Sequence, residues 1–395
     1  MRMLLPALAV VTAVVIGACH GRDSGPTTPQ NNYTDPAITN LASLKSCGTS
    51  TLLFDAMPFP VSLIAGWVPL GNLNPSAHTF PTDHQYIYLT SFITGNQTPV
   101  PLYAPGDVTV LWGKVSKYSS PAGFEDYSVT FAPCAEVSAE FGHVRSIAPA
   151  LASQIGPFDQ NCQTYSPNPG LTVTQCYSKN VKIAVKSGDA IGTAAGLDLN
   201  LYDSRVPAIV FANPARWQTS TNKIDRYHTV PMSDYYSEPA RTTVQSLVGS
   251  YDGRVKRTAL PPGGTIATDI AGTAQGSWLN PSQPTFPESP HFAIGPDNVD
   301  PTKLQLSMGT SQTGFLVNLY YVGTPTTSGF VNRNPAQITP GSQIWCYEFQ
   351  NQYGMALLQL TDATTLKFEG RNGASRNCAS ELPWAFTPAA VTFVR

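Results

Sequence analysis

Charged side chains are scarce in this sequence: Asp, Glu, Lys and Arg make up only 12% of 395 residues, against roughly 25% in an average soluble protein. The 23 basic and 25 acidic residues give a formal net charge of -2, so no basic field is available for binding a phosphate backbone. We therefore expect no nucleic acid among its partners.

Several catalytic signatures are also absent from the sequence. It contains no GxSxG elbow, no HExxH, no GxxxxGK[ST] loop, and no CxxC or Cys/His cluster with the spacing of a zinc site. Hydrophobic residues make up 42%, which is enough for buried cores, while 35 prolines and 31 glycines indicate a turn-rich globular protein. The common serine-hydrolase, zincin and nucleotide-binding classes are thus not indicated.

The first eighteen residues have the composition of an export signal. Arg2 supplies a short positive segment, an apolar run extends from Leu4 to Ile16, and small residues precede Cys19. Thirteen apolar residues are too few to cross a hydrocarbon core ~30 Å thick as a helix, so residues 1–18 are interpreted as a cleaved signal peptide. Ile16-Gly17-Ala18-Cys19 resembles the lipobox of bacterial lipoproteins, which implies lipidation of Cys19.

This N-terminus predicts where the protein is located. We expect an exported bacterial lipoprotein that is anchored in a membrane by the lipid on Cys19 and faces the periplasm or the cell surface. If the cell has two membranes, the outer one is expected, because His20 and not Asp follows the cysteine. An ordinary secretory signal with a chance cysteine leads to the same exported compartment and differs only in anchoring.

The remaining cysteines agree with export, because six are left after Cys19 and an even number suits disulfides. If each domain keeps its own bridges, Cys346 pairs with Cys378. The other four then form two pairs, and the close spacing of Cys162 and Cys176 suggests one choice of partners. These four are Cys47, Cys134, Cys162 and Cys176.

The sequence divides into five segments. After the signal peptide, a tether of Gly, Pro, Thr, Asn and Gln covers 19–46, where there is little to bury. A first folded domain is predicted over 47–215, a junction with a short helix over 216–250, and a second domain over 251–395. Short runs rich in Val, Ile, Tyr and Phe, interrupted by Gly and Pro, predict a mainly β fold for both domains.

Local patterns refine this prediction. Tyr127 to Phe131 and Val181 to Val185 alternate as strands do, and the second block ends in further short alternating runs that suit a small β-barrel or a sandwich. One helix is predicted between Asp234 and Leu247, with Ser233 or Asp234 as its cap and Pro239 as a defect. Aromatic residues of the second domain either line a ligand surface or fill its core: Trp278, Trp345, Tyr347 and Trp384.

Five motifs occur in a fixed order in the first domain: His84-Gln85-Tyr86-Ile87-Tyr88, Pro99 to Val110, Phe141-Gly142-His143-Val144, Val185 to Ala194, and Leu197 to Tyr202. Over about residues 60–212 this succession resembles the lysostaphin/LytM-type peptidoglycan zinc endopeptidases. The resemblance implies a β-rich duplicated hybrid motif domain and peptidoglycan as the substrate. Its best-matching parts are scaffold segments, which indicate a fold more than an activity.

The metal positions depart from the family pattern. In the family, the His and Asp of HxxxD and the second His of HxH bind zinc. Here these positions hold His84, Tyr88 and Asn200. The family's general acid or base residues correspond to Asp198 and His143. A neutral phenol and a neutral amide are poor zinc ligands, so we expect a degenerate site and no cofactor, with zinc as the one cofactor that the resemblance leaves open.

Two further donors lie upstream, at His78 and Asp83, and could substitute as ligands. Asp83 and His84 are adjacent, so on a regular strand they would face opposite sides, and only a loop would bring them together. On alternating strands, Asp198 and Asn200 share a face opposite Leu197, Leu199 and Leu201, whereas His143 shares the inward face with Phe141. On that face His143 could equally be a satisfied core histidine.

Three functions follow from these observations. The preferred one is an envelope lipoprotein with a catalytically degenerate peptidase-like domain that binds peptidoglycan, a glycan or a protein partner. The first alternative is an active zinc endopeptidase that cleaves peptidoglycan cross-links with altered ligands. The second alternative is a ligand carrier that uses the C-terminal barrel-like domain.

Overall fold

The computed structural model describes residues 41–168, 171–217, 226–285, 287–350 and 353–395, and the structure is mainly β, as predicted. The signal peptide, Cys19 and most of the tether lie outside the described residues. Within the described ranges, no helix is long and apolar enough to cross a membrane.

Ten strands of the first half form one antiparallel sheet. They are β1 (Ile64–Val68), β2 (Gln85–Leu89), β3 (Val100–Tyr103), β4 (Val108–Tyr118), β5 (Phe124–Cys134), β6 (Val137–Ile147), β7 (Phe158–Asn168), β8 (Leu171–Ser178), β9 (Ile183–Val185) and β10 (Ala190–Asp203). Their order is β1-β2-β10-β6-β5-β4-β8-β7, while β3 pairs with β10 and β9 pairs with β4. The predicted strand from Tyr127 to Phe131 lies within β5. Of the predicted strand from Val181 to Val185, only the last three residues form one, β9.

Side-chain alternation separates this sheet into two faces. Leu197, Leu199 and Leu201 of β10 point into the main hydrophobic core together with Phe131 and Phe141. Asp198 and Asn200 therefore lie on the other face, as the sequence predicts. The core face holds the sheet in register, because a one-residue slip would expose every one of these apolar side chains.

The chain after the large sheet packs into the same core. Helices α1 (Thr90–Ile93) and α2 (Pro149–Ile155) connect strands, and α3 (Ala240–Leu247) lies in the junction. The predicted helix start at Ser233 or Asp234 is wrong: residues 232–235 form a 3-10 turn, and α3 begins after Pro239. Proline is tolerated at a helix start but not inside a helix, so Pro239 sets the boundary. Val244 of α3 is completely buried in the core.

The second half forms two four-stranded antiparallel sheets. One consists of β11 (Gly276–Trp278), β12 (Phe292–Pro296), β13 (Leu304–Met308) and β14 (Asn318–Gly323), and the other of β15 (Trp345–Glu348), β16 (Gly354–Asp362), β17 (Thr365–Asn372) and β18 (Val391–Val394). One hydrophobic core is shared by both sheets, and within it the rings of Phe292 and Phe368 lie 4.7 Å apart. Of the two predicted alternatives, the described residues therefore form packed sheets and not a closed barrel.

The aromatic residues of this half are mostly structural. Trp278 and Tyr347 are completely buried in the shared core, and Trp345 packs against its edge. The Trp384 indole nitrogen donates a hydrogen bond to the Cys378 carbonyl, 2.7 Å away. Trp278 and Tyr347 consequently offer no surface to a ligand.

The two halves are in contact. The Phe80 ring stacks on His291 at 5.4 Å, and the Phe80 backbone N–H donates to the Glu288 carboxylate at 3.0 Å. Leu73 and Phe80 from the first half share a small apolar cluster with Leu279 and Ala293 from the second. The loop that precedes β2 is thus held from both sides.

Three disulfides are present. The first joins Cys47 and Cys134, the second joins Cys162 and Cys176, and the third joins Cys346 and Cys378. The predicted third pair and the suggested pairing of Cys162 with Cys176 are confirmed. Disulfides of this number indicate an oxidising, extracellular compartment.

Candidate functional site

The polar face of the large sheet brings the motif residues together. On this face Asp198 of β10 lies opposite Tyr86 of β2 and Gly142 of β6. Gly142 leaves space for the carboxylate, because a Cβ added to it would lie 3.3 Å from the Asp198 Cβ. The face carries further buried polar side chains, at Lys114, Ser116, Ser128, Thr130 and Glu140.

His143 reaches this face through an irregularity in β6. Against β5, the register of β6 shifts between the pairs Tyr127–Val144 and Val129–Phe141, so β6 has one extra residue there, and the His143 φ of 62° lies in the left-handed region. The prediction that His143 shares the inward face with Phe141 is therefore wrong. A bulge adds one residue to the strand and redirects its side chain, at a cost of about 1–3 kcal/mol for a non-glycine residue. No sequence alternation can reveal such an extra residue.

A loop before β2 brings His84 and its neighbours together. Residues 78–84 precede the first strand residue, Gln85, so the alternation that would separate Asp83 from His84 does not apply. The Asp83 carboxylate lies 3.1 Å from His84 Nδ1. This is the loop arrangement that the sequence required if Asp83 was to assist His84.

These residues form a chain of alternating carboxylates and imidazoles, which we call the His–Asp array: Asp83, His84, Asp198, His143 and Asp126. The Asp198 Oδ2 atom lies 3.6 Å from His84 Nε2 and 3.3 Å from His143 Nε2. At the far end, Asp126 Oδ2 lies 2.8 Å from His143 Nδ1. Each imidazole thus has one carboxylate at each nitrogen, and Asp198 joins the two halves.

The electrostatics of the array favour its charged form. Burial opposes the imidazolium, but the Asp126 and Asp198 carboxylates outweigh it and hold the pKa of His143 well above its ordinary value. Burial also opposes protonation of His84, whose pKa is nevertheless raised by Asp198 and by the hydrogen bond to Asp83. Although burial favours a neutral carboxyl, His143 and His84 lower the pKa of Asp198 to about 2. The array therefore resembles an internal salt, with a carboxylate between two cations.

Buried arginines support the array from behind. Arg226 is 2% exposed and pairs with Asp83, the side chain that holds His84 Nδ1. Burial would raise the pKa of Asp83, but the Arg226 guanidinium and His84 lower it below its ordinary value. Arg216 stacks over the Trp217 ring at 4.1 Å and donates to the Pro81 carbonyl at 2.6 Å. Both arginines fix the loop that carries His84.

His78 lies beside the array without joining it. Its ring centroid is 5.1 Å from that of His84, and its Nε2 is buried without a hydrogen-bond partner among the described residues. Burial, and then the neighbouring His84, lower the pKa of His78 to about 3, so it is neutral at physiological pH. Neutral imidazole can act as a donor or as an acceptor, depending on its tautomer.

Two residues at the family's ligand positions contact other groups than the imidazoles and carboxylates of the array. The Tyr88 ring packs at 4.9 Å against Phe92 and at 5.8 Å against Tyr251. The Asn200 amide donates to the Asp83 backbone carbonyl at 3.4 Å, which leaves it a supporting role in the loop. The structure thus brings together His84, Asp198, His143, Asp83 and His78 and separates Tyr88 from them.

Zinc is the metal that the family resemblance implies, and its binding depends on whether the donor atoms converge on one centre. A tetrahedral site needs three protein donors that converge at about 2.0–2.3 Å from one centre. Among the described residues, the only three donor atoms mutually within 4.8 Å belong to Cys47, Cys134 and Glu136, and these cysteines form the first disulfide. The array does not provide a convergent set, so the residues present do not fit the family's zinc.

Sequence reasoning missed two members of this site. Asp126 directly precedes the alternating run in β5 and shares a face with Ser128 and Thr130, a polar alternation that could have indicated it. Arg226 lies in the junction, about 140 residues from its partner Asp83, and has no local signal. Only the tertiary fold brings this cation to the site.

Comparison with known proteins does not extend this description. No protein-family model matches the chain, and neither a curated protein nor a solved structure matches it. The resemblance to the peptidoglycan endopeptidases therefore stays an expectation from its motifs.

Proposed function

We propose that this chain is an exported, lipid-anchored envelope protein that binds peptidoglycan, a glycan or a protein partner on the polar face of its large sheet. In this proposal the peptidase-like domain has lost zinc-dependent cleavage and retains the surface. Anchoring through Cys19 belongs to the same proposal, and the three disulfides support an exported location.

One observation carries the proposal: the Asp198 carboxylate lies between the two imidazoles that would otherwise face a metal or a substrate. Its Oδ2 is 3.6 Å from His84 Nε2 and 3.3 Å from His143 Nε2, so opposite charges compensate within the protein. His84 Nε2 makes no hydrogen bond among the described residues, so charge compensation by Asp198, and not a bound cation, is what the geometry provides for the two imidazoles. The array is therefore suited to hydrogen bonding with a ligand.

A polar chain is the ligand that this face suits. Polar side chains extend from β4 to β10 along one side of the sheet. The His143 side chain is 23% exposed whereas Asp198 is 11% exposed, so the array reaches solvent mainly through His143. A peptidoglycan strand offers amide, hydroxyl and carboxylate groups to such a surface.

A specific observation favours the alternative of an active zinc endopeptidase with altered ligands. Histidines that bind metals almost always hold a carboxylate or a carbonyl at their other nitrogen, and both His84 and His143 hold a carboxylate at Nδ1. Substitute ligands would then come from His84, Asp198 and His143. The spacing of the donor atoms opposes this alternative, and zinc content distinguishes it from the binding function.

The first experiment measures zinc by elemental analysis on the exported chain from residue 20 after mild dialysis and after reconstitution. His84→Ala and Asp198→Ala are compared with His228→Ala, a matched control whose imidazole contacts the Val206 carbonyl instead. We expect no stoichiometric zinc in any of these proteins. About one zinc per chain that disappears in the first two variants but not in the control would refute the metal-free function.

The second experiment tests binding and cleavage together. Purified insoluble peptidoglycan is incubated with the wild-type chain, with Asp198→Ala and with His228→Ala, and is then sedimented. We expect wild type and control to sediment with the polymer, weaker retention of Asp198→Ala, and no soluble fragments. Release of fragments that a chelator abolishes would support the peptidase instead, and equal retention of all three proteins would exclude the array from binding.

A further inference from the structure

A cavity at one end of the large sheet contains a cation that no described carboxylate neutralises. The cavity has a volume of about 480 Å³ and lies where β5 begins, β6 ends and α2 follows. Its wall includes Phe124, Tyr127, Arg145, Ile147 and Phe158. This volume is within the range of about 300–1,000 Å³ that small-molecule sites occupy.

Arg145 is held in place without being paired. Its guanidinium carbon lies 4.4 Å from the Phe124 ring centroid, a cation–π contact that fixes the plane of the group. Its Nη1 atom is buried and has no hydrogen-bond partner, and no ion pair joins Arg145 to a carboxylate of the described residues. An unpaired buried N–H on a charged group is costly, so this position favours an acceptor from outside the chain.

The acidic residue in the same wall does not neutralise Arg145. Glu125 accepts a hydrogen bond from the Tyr127 hydroxyl and lies 3.3 Å from Lys117 Nζ, which compensates its charge. The hydrogen bond from the Tyr127 hydroxyl, and to a smaller extent Lys117, lower the pKa of Glu125, so its carboxylate remains ionised. Among the residues that line the cavity, Arg145 is therefore the one charged side chain without a charged partner.

We propose that this cavity binds a monocarboxylate with an apolar body, with Arg145 as the anion-recognising residue. A planar guanidinium can donate two parallel hydrogen bonds to one carboxylate, and its single positive charge balances the negative charge of that carboxylate. The rings of Tyr127 and Phe158, 5.5 Å apart, offer apolar surface for the remainder of the ligand. This site is separate from the His–Asp array and does not depend on the function proposed for the array.

The test uses two probes that differ in one charge. N-acetyl-phenylalanine and N-acetyl-phenylalaninamide are titrated by calorimetry against the exported chain from residue 20 at pH 7. We expect the acid to bind and the amide to bind at least tenfold more weakly, because charge-assisted hydrogen bonds are lost. A small free acid and the C-terminal carboxylate of a peptide share this chemistry. Comparing the affinity of N-acetyl-phenylalanine with that of an acetylated dipeptide that has a free carboxylate distinguishes these two sources of the ligand.

Variants assign the recognition to Arg145. Arg145→Gln is expected to weaken binding of the acid by about 10- to 100-fold and to leave binding of the amide unchanged. The matched control Arg254→Gln, at a side chain that is 81% exposed beside Asp252, should bind both probes as wild type does. Two results on the wild-type chain alone would overturn the proposal: equal binding of the acid and the amide, or no binding of the acid at millimolar concentration. Unchanged affinity in a folded Arg145→Gln would do the same.

Discussion

The two histidines of the His–Asp array should make the free energy of unfolding depend on pH in a particular direction. Their pKa values are raised in the folded chain, where Asp198 lies between His84 and His143. Above the unfolded value near 6.5, the folded chain keeps protons that the unfolded chain has released. The contribution of these two histidines to the free energy of unfolding is therefore fully present below pH 6.5. It is lost as the pH rises from 6.5 through their folded pKa values.

The magnitude follows from proton linkage. Each retained proton changes the unfolding free energy by at most about 1.4 kcal/mol per pH unit, so the two histidines together give a limiting slope of roughly 2.7 kcal/mol per unit, approached about one pH unit above 6.5 while both remain protonated in the folded chain. His78, whose pKa is lowered to about 3, is neutral in both states above pH 6.5 and does not contribute there. The other charged groups that face the histidines are Asp83, Asp126 and Arg226, and the lowered pKa of Asp83 keeps its carboxylate ionised in this range.

Asp198→Asn tests the cause. A neutral amide between the imidazoles should lower the pKa of both histidines by about 1–3 units, and the slope of stability against pH should become shallower. Urea unfolding between pH 6.5 and 8.5 with the disulfides intact measures the slope, and NMR titration of a chain with only six histidines measures the pKa values. Identical slopes in wild type and variant, or ordinary pKa values in wild type, would refute the internal-salt description of the array.

Further predictions concern stability. Gly142→Ala places a methyl group 3.3 Å from the Asp198 Cβ and should cost about 1–3 kcal/mol in urea unfolding, whereas Gly341→Ala, with no atom within 4 Å, should be neutral; equal effects would contradict the close approach. Arg226→Met removes the buried arginine partner of Asp83, leaves only His84 beside that carboxylate, and should cost about 3–5 kcal/mol by the same assay, a loss that a change below 1 kcal/mol would disprove. Replacing both cysteines of one disulfide by alanine should cost most where the closed loop is longest: roughly 4.6 kcal/mol for Cys47–Cys134 (separation 87), 3.7 for Cys346–Cys378 (separation 32) and 3.0 for Cys162–Cys176 (separation 14). A reversed order of these costs would show that loop length does not govern their effect.

The sequence by itself determined the local features of this protein. Alternation predicted which face of β10 carries Asp198 and Asn200, because side chains on a strand alternate with period two wherever the strand is regular. Short runs rich in Val, Ile, Tyr and Phe predicted a mainly β fold, the close spacing of Cys162 and Cys176 suggested their pairing, and the division into two domains predicted the pair Cys346–Cys378. These properties depend on neighbours along the chain.

Only the tertiary structure decided how the candidate site is assembled. The bulge that turns His143 toward Asp198 depends on how β6 pairs with β5, and not on the alternation within β6 itself. Arg226 reaches Asp83 from the junction, and the loop before β2 is positioned by contacts with the second half. Charges compensate one another through space, so the sequence named His84, His143, Asp198 and Asp83 but not which of them pair, and its motifs did not include Asp126 or Arg226.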